Sequence, residues 1–130
     1  EKLSETLLKY KVSSIIISNT SENNRENLQN ISKYQKGGLS GKPIEERSNK
    51  LIGKFYNLLK GKIFIIGVGG VDSGKSAYDK FLAGASYVQL YTGMVFQGPN
   101  IVGIIKKELK QLLLNDGVEN FKEIIGKKHN

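Results

Sequence analysis

The sequence predicts an α/β fold: the C-terminal portion of a (β/α)8 TIM barrel, about three parallel strands with their helices, incomplete without an upstream part. Three observations lead there. Apolar runs at SSIIISN (13–19), KIFIIGVGG (62–70) and ASYVQLYT (85–92) alternate with helical patterns, an order that requires right-handed parallel crossovers. Each run is nearly continuous rather than alternating, as in strands covered on both faces. Three parallel strands also leave two unpaired sheet edges, which the missing part of a barrel would close.

The chain opens on EKLSETLLKYK, where Leu3, Leu7 and Leu8 stand at helical spacing. It has no initiating Met and lacks the charged-then-apolar plan of a signal peptide, so we expect a chain cut from something longer. Residues 1–130 would then be the C-terminal segment of one barrel domain. After the first strand comes one long connection, residues 20–44, rich in Asn, Ser, Glu and Gly; loops of that length in compact domains usually carry function. A helix from Glu45 to Lys60 follows, with Leu51, Ile52, Phe55, Leu58 and Leu59 on its apolar stripe. Beyond the second strand, Ser73 to Ala83 places Ala77, Phe81 and Leu82 on one face. The third strand leads to a longer helix through Ile101, Ile104, Ile105, Leu109, Leu112 and Leu113, expected to stop near Asn115-Asp116-Gly117. A last short helix, Asn120 to Ile125, ends at Gly126.

Composition narrows the function classes. The chain has no cysteine, which excludes disulfides and thiolate metal sites, and its single histidine, His129, is expected to be solvated and without a role. We expect no metal. The net charge of +8 comes mostly from lysines spread along helical stretches such as IIKKELKQLLL; Arg25 and Arg47 are the only arginines. Aromatic residues do not interleave with the basic runs, so solvated helix faces explain the charge better than a nucleic-acid surface. No apolar run approaches the roughly 20 residues that span a bilayer.

The residues that carry chemistry lie after the strands. Gly69 to Ser76 satisfies G-x-x-x-x-G-K-[ST], the phosphate loop of nucleotide hydrolases, in which Lys75 would reach the phosphates and Ser76 a Mg²⁺ ion. That mechanism also needs a later strand ending in a carboxylate. The third strand ends in Tyr91-Thr92, and the next acid is Glu108, well inside a helix. In barrels, a phosphate commonly sits by the last two strand ends, near a helix N-terminus. Gly69-Gly70 follows one strand and Tyr91-Thr92-Gly93 the next, so the two ends can converge on one phosphate, with Lys75 turned to solvent. From these residues alone a nucleotide hydrolase, another phosphate-binding barrel enzyme and a basic nucleic-acid module all remain open.

SNT at 18–20, KGGLSGKPI at 36–44, IIGVGGVDSG at 65–74 and AGASYVQLYTGMVFQGP at 83–99 together resemble dihydroorotate dehydrogenase of class 2, the flavin enzymes that pass electrons to quinone. The resemblance runs in order through the closing GVENFKEIIGKKH. It implies FMN as cofactor, dihydroorotate and orotate as substrate and product, and a hydride and a proton removed from the ring, with quinone as final oxidant in pyrimidine biosynthesis. It implies that Ser18 lies beside the flavin, that Asn19 and Thr20 bind the orotate ring, and that Gly41 and Gly70 contact the cofactor, with Ser40 beside Gly41. Tyr91 and Thr92 would hold the phosphate, with Gly69 and Gly93 as neighbours, and Tyr91, Val95 and Pro99 would line the quinone approach. The catalytic base would lie upstream of residue 1, so no catalytic residue is assigned and the segment alone is expected not to turn over. The resemblance further implies a mitochondrial inner-membrane setting, with membrane contact through the missing N-terminal region, and no nucleic-acid partner. An Asn-capped turn at Asn19, plain tight turns at Gly37, Gly38 and Gly41, and a core position for Tyr91 are the ordinary readings of the same residues.

Overall fold

The computed structural model describes residues 1–23 and 25–129; Asn24, within the predicted long connection, and Asn130 lie outside the described residues. Its helices are α1 (Lys2–Lys9), α2 (Glu45–Leu59), α3 (Gly74–Leu82), α4 (Thr92–Gln97) and α5 (Ile101–Asn115), and its strands are β1 (Ser14–Ile17), β2 (Phe64–Val68) and β3 (Tyr87–Gln89). The strands form one parallel sheet in the order β1-β2-β3, with Ile16 opposite Ile66 and Ile66 opposite Tyr87. The predicted alternation is therefore present. The closing segment differs: Phe121–Ile124 is a 3-10 turn, capped by Asn120, rather than an α-helix. The six-residue α4 is an element the sequence pattern does not announce.

The expected burial on both strand faces is not found. Ile17, Ile65 and Ala85 pack beneath Ile52 and Leu59 of α2 on one side. On the other side Ile16, Phe64 and Tyr87 stay 54–55% exposed, with the Phe64 and Tyr87 rings edge to face at 6.0 Å. The helices cover one face of the sheet. The second face carries the same β-branched and aromatic residues but nothing among the described residues lies over it.

A second core joins α3 to α5 through Ala77, Tyr78, Phe81, Ile101 and Ile105, with Val71, Val118 and Ile124. Ile104, expected on the α5 stripe, is 46% exposed instead. The Tyr78 hydroxyl donates to Asp116 just beyond α5; burial, and then that carboxylate, push its phenol up to about 12. α5 ends as expected, with Gly117 at φ 67. His129 does more than sit in water: its ring stacks on Tyr56 at 6.0 Å, and Nε2 lies 3.2 Å from the Ala83 carbonyl. That contact fastens the chain end beneath α2.

The long connection is ordered by local bonds. Ser21 and Leu39 form an antiparallel bridge, and the Arg25 guanidinium donates to the carbonyls of Lys33, Gln35 and Gly37. One arginine, with its fixed fan of N–H donors, thus closes a loop that has no apolar core of its own. This connection, the flap, ends at a 3-10 turn, Lys42–Ile44, that runs directly into α2.

Candidate functional site: a cavity at the strand ends

Parallel strands deliver their C-terminal ends to one edge of the sheet, and here that edge opens into a cavity of about 740 Å³. Its wall includes Ser18, Asn19 and Thr20 after β1, Gly69 and Gly70 after β2, and Tyr91, Thr92 and Gly93 after β3, with Ser40 and Gly41 from the flap. The structure therefore brings together the residues expected at the flavin, its phosphate and the orotate ring, whereas Val95 and Pro99, expected on the quinone approach, are not part of this lining. It adds several the sequence did not flag: Lys42, Asp72, Phe96 and Gln97 also line the cavity.

Several glycines around the cavity leave no room for a side chain. Gly41 has φ 78, and a Cβ there would lie 2.8 Å from Thr92 Cγ2. Gly70 has φ 80, and a Cβ there would stand 2.4 Å from Glu45 Cβ and 2.8 Å from Glu45 Cα. The flap is pinned on the same side, where Thr92 Oγ1 donates to Ser40 Oγ at 2.9 Å. Gly38 likewise has no room for a side chain, because Thr20 Oγ1 would be 2.0 Å from its Cβ. Tyr91 is not core: its side chain is 79% exposed at the cavity rim. Asn19 Oδ1 accepts from the Thr20 N–H at 2.8 Å, one residue on rather than the two residues of an Asx turn, and its amide nitrogen remains a donor at the cavity.

The G-x-x-x-x-G-K-S signature does not build a phosphate loop. Ser76 Oγ accepts from the N–H groups of Asp72 and Ser73 at 2.9 and 3.0 Å, and Ser73 Oγ accepts from Ser76 N–H at 3.2 Å. The Gly74 N–H donates to Glu108 Oε2 at 2.5 Å, so a carboxylate from α5 already sits at the start of α3. Lys75 pairs with Asp79 one turn along the same helix, facing solvent. These amides are spoken for. By contrast, no hydrogen bond to another described residue is made by the backbone N–H groups of Gly70, Tyr91 or Thr92, the last two being donors that a helix start leaves open. Exposed ion pairs contribute little, so Lys75→Ala is expected to change stability by less than ~0.5 kcal/mol. Glu108→Ala, which uncovers the α3 amide, should cost about 1 kcal/mol in a denaturant titration of the full-length protein.

At the rim one lysine meets two carboxylates. Lys42 Nζ lies 2.5 Å from Glu45 and 3.4 Å from Asp72, and the Glu45 hydrogen bond raises its pKa above the usual lysine value. Among the described residues no cluster of His, Cys, Asp or Glu has the makings of a metal site, and no helix is long and apolar enough to cross a membrane.

The family model for dihydroorotate dehydrogenase matches residues 1–113. The chain belongs to the dihydroorotate dehydrogenase family. It is 44% identical over 118 residues to the mouse protein named dihydroorotate dehydrogenase (quinone), mitochondrial, covering 91% of this chain and 30% of that protein. The Arabidopsis thaliana protein of the same name is 41% identical over 130 residues, covering 99% of this chain and 28% of its own length. A crystal structure of ligand-free dihydroorotate dehydrogenase from Eimeria tenella superposes with a TM-score of 0.95 at 34% identity, over 98% of this chain and 35% of that one. The chain thus spans about a third of the length of its relatives, and its three-stranded sheet is a partial α/β barrel of their kind.

Proposed function

We propose that this chain forms the cofactor-phosphate end and one edge of the substrate site of a quinone-linked dihydroorotate dehydrogenase, the oxidation of dihydroorotate to orotate in pyrimidine biosynthesis. The observation that carries this reading is the convergence of three strand ends and the flap on one cavity, with the amides of Gly70, Tyr91 and Thr92 unengaged at its wall. Such a donor set suits a phosphate monoester: N–H groups on bare or outward-turned backbone, plus a threonine hydroxyl. FMN, when bound there, supplies the hydride-accepting chemistry.

The chain's own part is binding and orientation. Gly70, Tyr91 and Thr92 hold the phosphate. Ser18 and Gly41 flank the flavin ring, and the Thr92–Ser40 bond keeps the flap against the cofactor end. Asn19 and Thr20 present donors and acceptors to the edge of a planar ring that bears both C=O and N–H groups. No residue of this chain is assigned as the base; the proton from the substrate ring goes to a group in the rest of the protein. That remaining part, a partner in the fold, covers the open sheet face of Ile16, Phe64 and Tyr87 and completes the barrel. Residues 1–130 are in this reading the C-terminal segment of a single flavin-binding domain. Tyr91, Val95 and Pro99 border the approach of quinone. The relatives named mitochondrial support an inner-membrane setting, with membrane contact through residues outside this chain.

The test is spectroscopic. Full-length protein is expected to be yellow as purified and to bleach when dihydroorotate is added without oxygen, with colour restored by a quinone. A colourless protein that binds no FMN overturns the reading, and so does a yellow one that dihydroorotate leaves unchanged.

A further inference from the structure

Lys80 is fully buried in the middle of a mostly apolar layer, at 0% exposure, its stem passing under β2 where a Cβ on Gly67 would be 3.2 Å from Lys80 Cδ. Among the described residues no carboxylate forms an ion pair with it. Its Nζ donates to Ser48 Oγ at 3.0 Å and to Asn49 Oδ1 at 2.9 Å, both neutral groups on α2. Because an ammonium can only donate, the single Ser48 proton must go elsewhere, and it goes to the Val68 carbonyl at 2.6 Å. The Val68 carbonyl belongs to the same planar peptide unit as the Gly69 N–H, so holding one fixes the direction of the other. Ser48 also lies directly beneath this turn, 3.4 Å from where a Gly69 Cβ would be. A buried cation is costly unless its environment uses it.

The geometry points to Lys80 as the positioning cation of the anion-binding turn, acting through Ser48 on the Val68–Gly69 peptide and placing a positive charge that has no direct ion-pair partner behind the phosphate. This rests on the reading of that turn as a cofactor-phosphate site. The rim cation, Lys42, cannot fill the role, being tied to Glu45 and Asp72. Burial pulls the Lys80 ammonium down to about 8, against Glu45 and Asp79, which favour its charged form, and with a smaller push from Lys42. Two opposite pH trends follow. As pH rises through about 8 the folded protein loses this proton, so FMN binding weakens. Between that value and 10.5 the unfolded chain still holds the proton, so the contribution of Lys80 to folding stability rises with pH over the same window.

The experiment compares FMN with riboflavin, which lacks the phosphate, on flavin-stripped full-length protein between pH 7 and 9.5. The FMN phosphate stays dianionic throughout, its second pKa being about 6, and the ratio of the two affinities cancels titration of the ring. The wild-type preference for FMN should fall on the order of tenfold across pH 8, while Lys80→Met starts at the lower preference and stays flat. An equal loss for both flavins, or a wild-type ratio that ignores pH, overturns the proposal. The wild-type series alone decides if Lys80→Met does not fold. Should wild type bind neither flavin, the functional reading fails separately. The Lys80 claim is then judged with inorganic phosphate against chloride: a phosphate-specific rise in melting temperature at pH 7 that is gone at pH 9.5 sustains it, and no such rise ends it.

Discussion

Gly70→Ala in the full-length protein is expected to release the flavin and lower the melting temperature together. The backbone at Gly70 has φ 80, where an L-residue is strained, and the new methyl would meet Glu45 Cα, a backbone atom, at 2.8 Å. No rotamer relieves that contact; the start of α2 has to move away from the turn. We expect a loss of about 2–4 kcal/mol from the two effects. The displacement also carries the Gly70 N–H off the phosphate, so flavin content should fall further than stability alone accounts for. Gly103→Ala is the internal comparison. Gly103 lies inside α5 with nothing within 4 Å of its missing Cβ, and alanine there should stabilise by about 0.5–1 kcal/mol. If Gly70→Ala kept its flavin and its melting temperature, the turn would not be the tight cradle described here.

Much of this was legible in the sequence because it is local. The helix boundaries at Glu45, Gly74 and Asn115 follow from apolar periodicity and, for α5, a following glycine, all within a few residues of the ends they set. The strands were legible as β-branched runs, but their burial was not. Ile16 and Ile65 look alike along the chain, and only the layer above each decides which is covered. The six residues of α4 are too few for a helical period to show. His129 is exposed as expected, but its contacts with Tyr56 and Ala83 were not legible, because those partners lie far away in sequence.

The site shows the same division. Spacing of four motifs brought Ser18, Asn19, Thr20, Gly41, Gly70, Tyr91 and Thr92 to one cavity wall. The polar framework behind that wall could not be read ahead, since Glu108 reaches Gly74 across 34 positions and Lys80 reaches Ser48 across 32. Among 20 basic residues, most on solvated faces, nothing in the letters AYDKFL separates a buried lysine from the rest. One signal was available for Lys42 and Asp72: Lys42 adjoins the predicted turn at Gly41 and Asp72 lies between Gly70 and the predicted helix start at Ser73, so both had to lie near the strand ends.

Asn19→Ala is expected to lower kcat/KM for dihydroorotate about 100-fold, the scale for losing a placed hydrogen-bond donor at a reacting ring, with the flavin retained. The harder question is whether Asn19 serves the substrate or only its own turn, because its Oδ1 already accepts from the Thr20 N–H. Asn19→Asp separates the two. Aspartate keeps the acceptor and forms such turns as readily as asparagine, so a residue needed only for the turn would be replaced without loss. A residue that donates through its amide nitrogen would not, and the added negative charge beside an electron-rich ring would deepen the deficit. We therefore expect Asn19→Asp to be at least as impaired as Asn19→Ala, with an unchanged melting temperature and full flavin content. Recovery of turnover in Asn19→Asp would make Asn19 a turn residue. Loss of flavin from Asn19→Ala would instead place it against the cofactor, and the substrate edge would then have to be built from Thr20 and the flap.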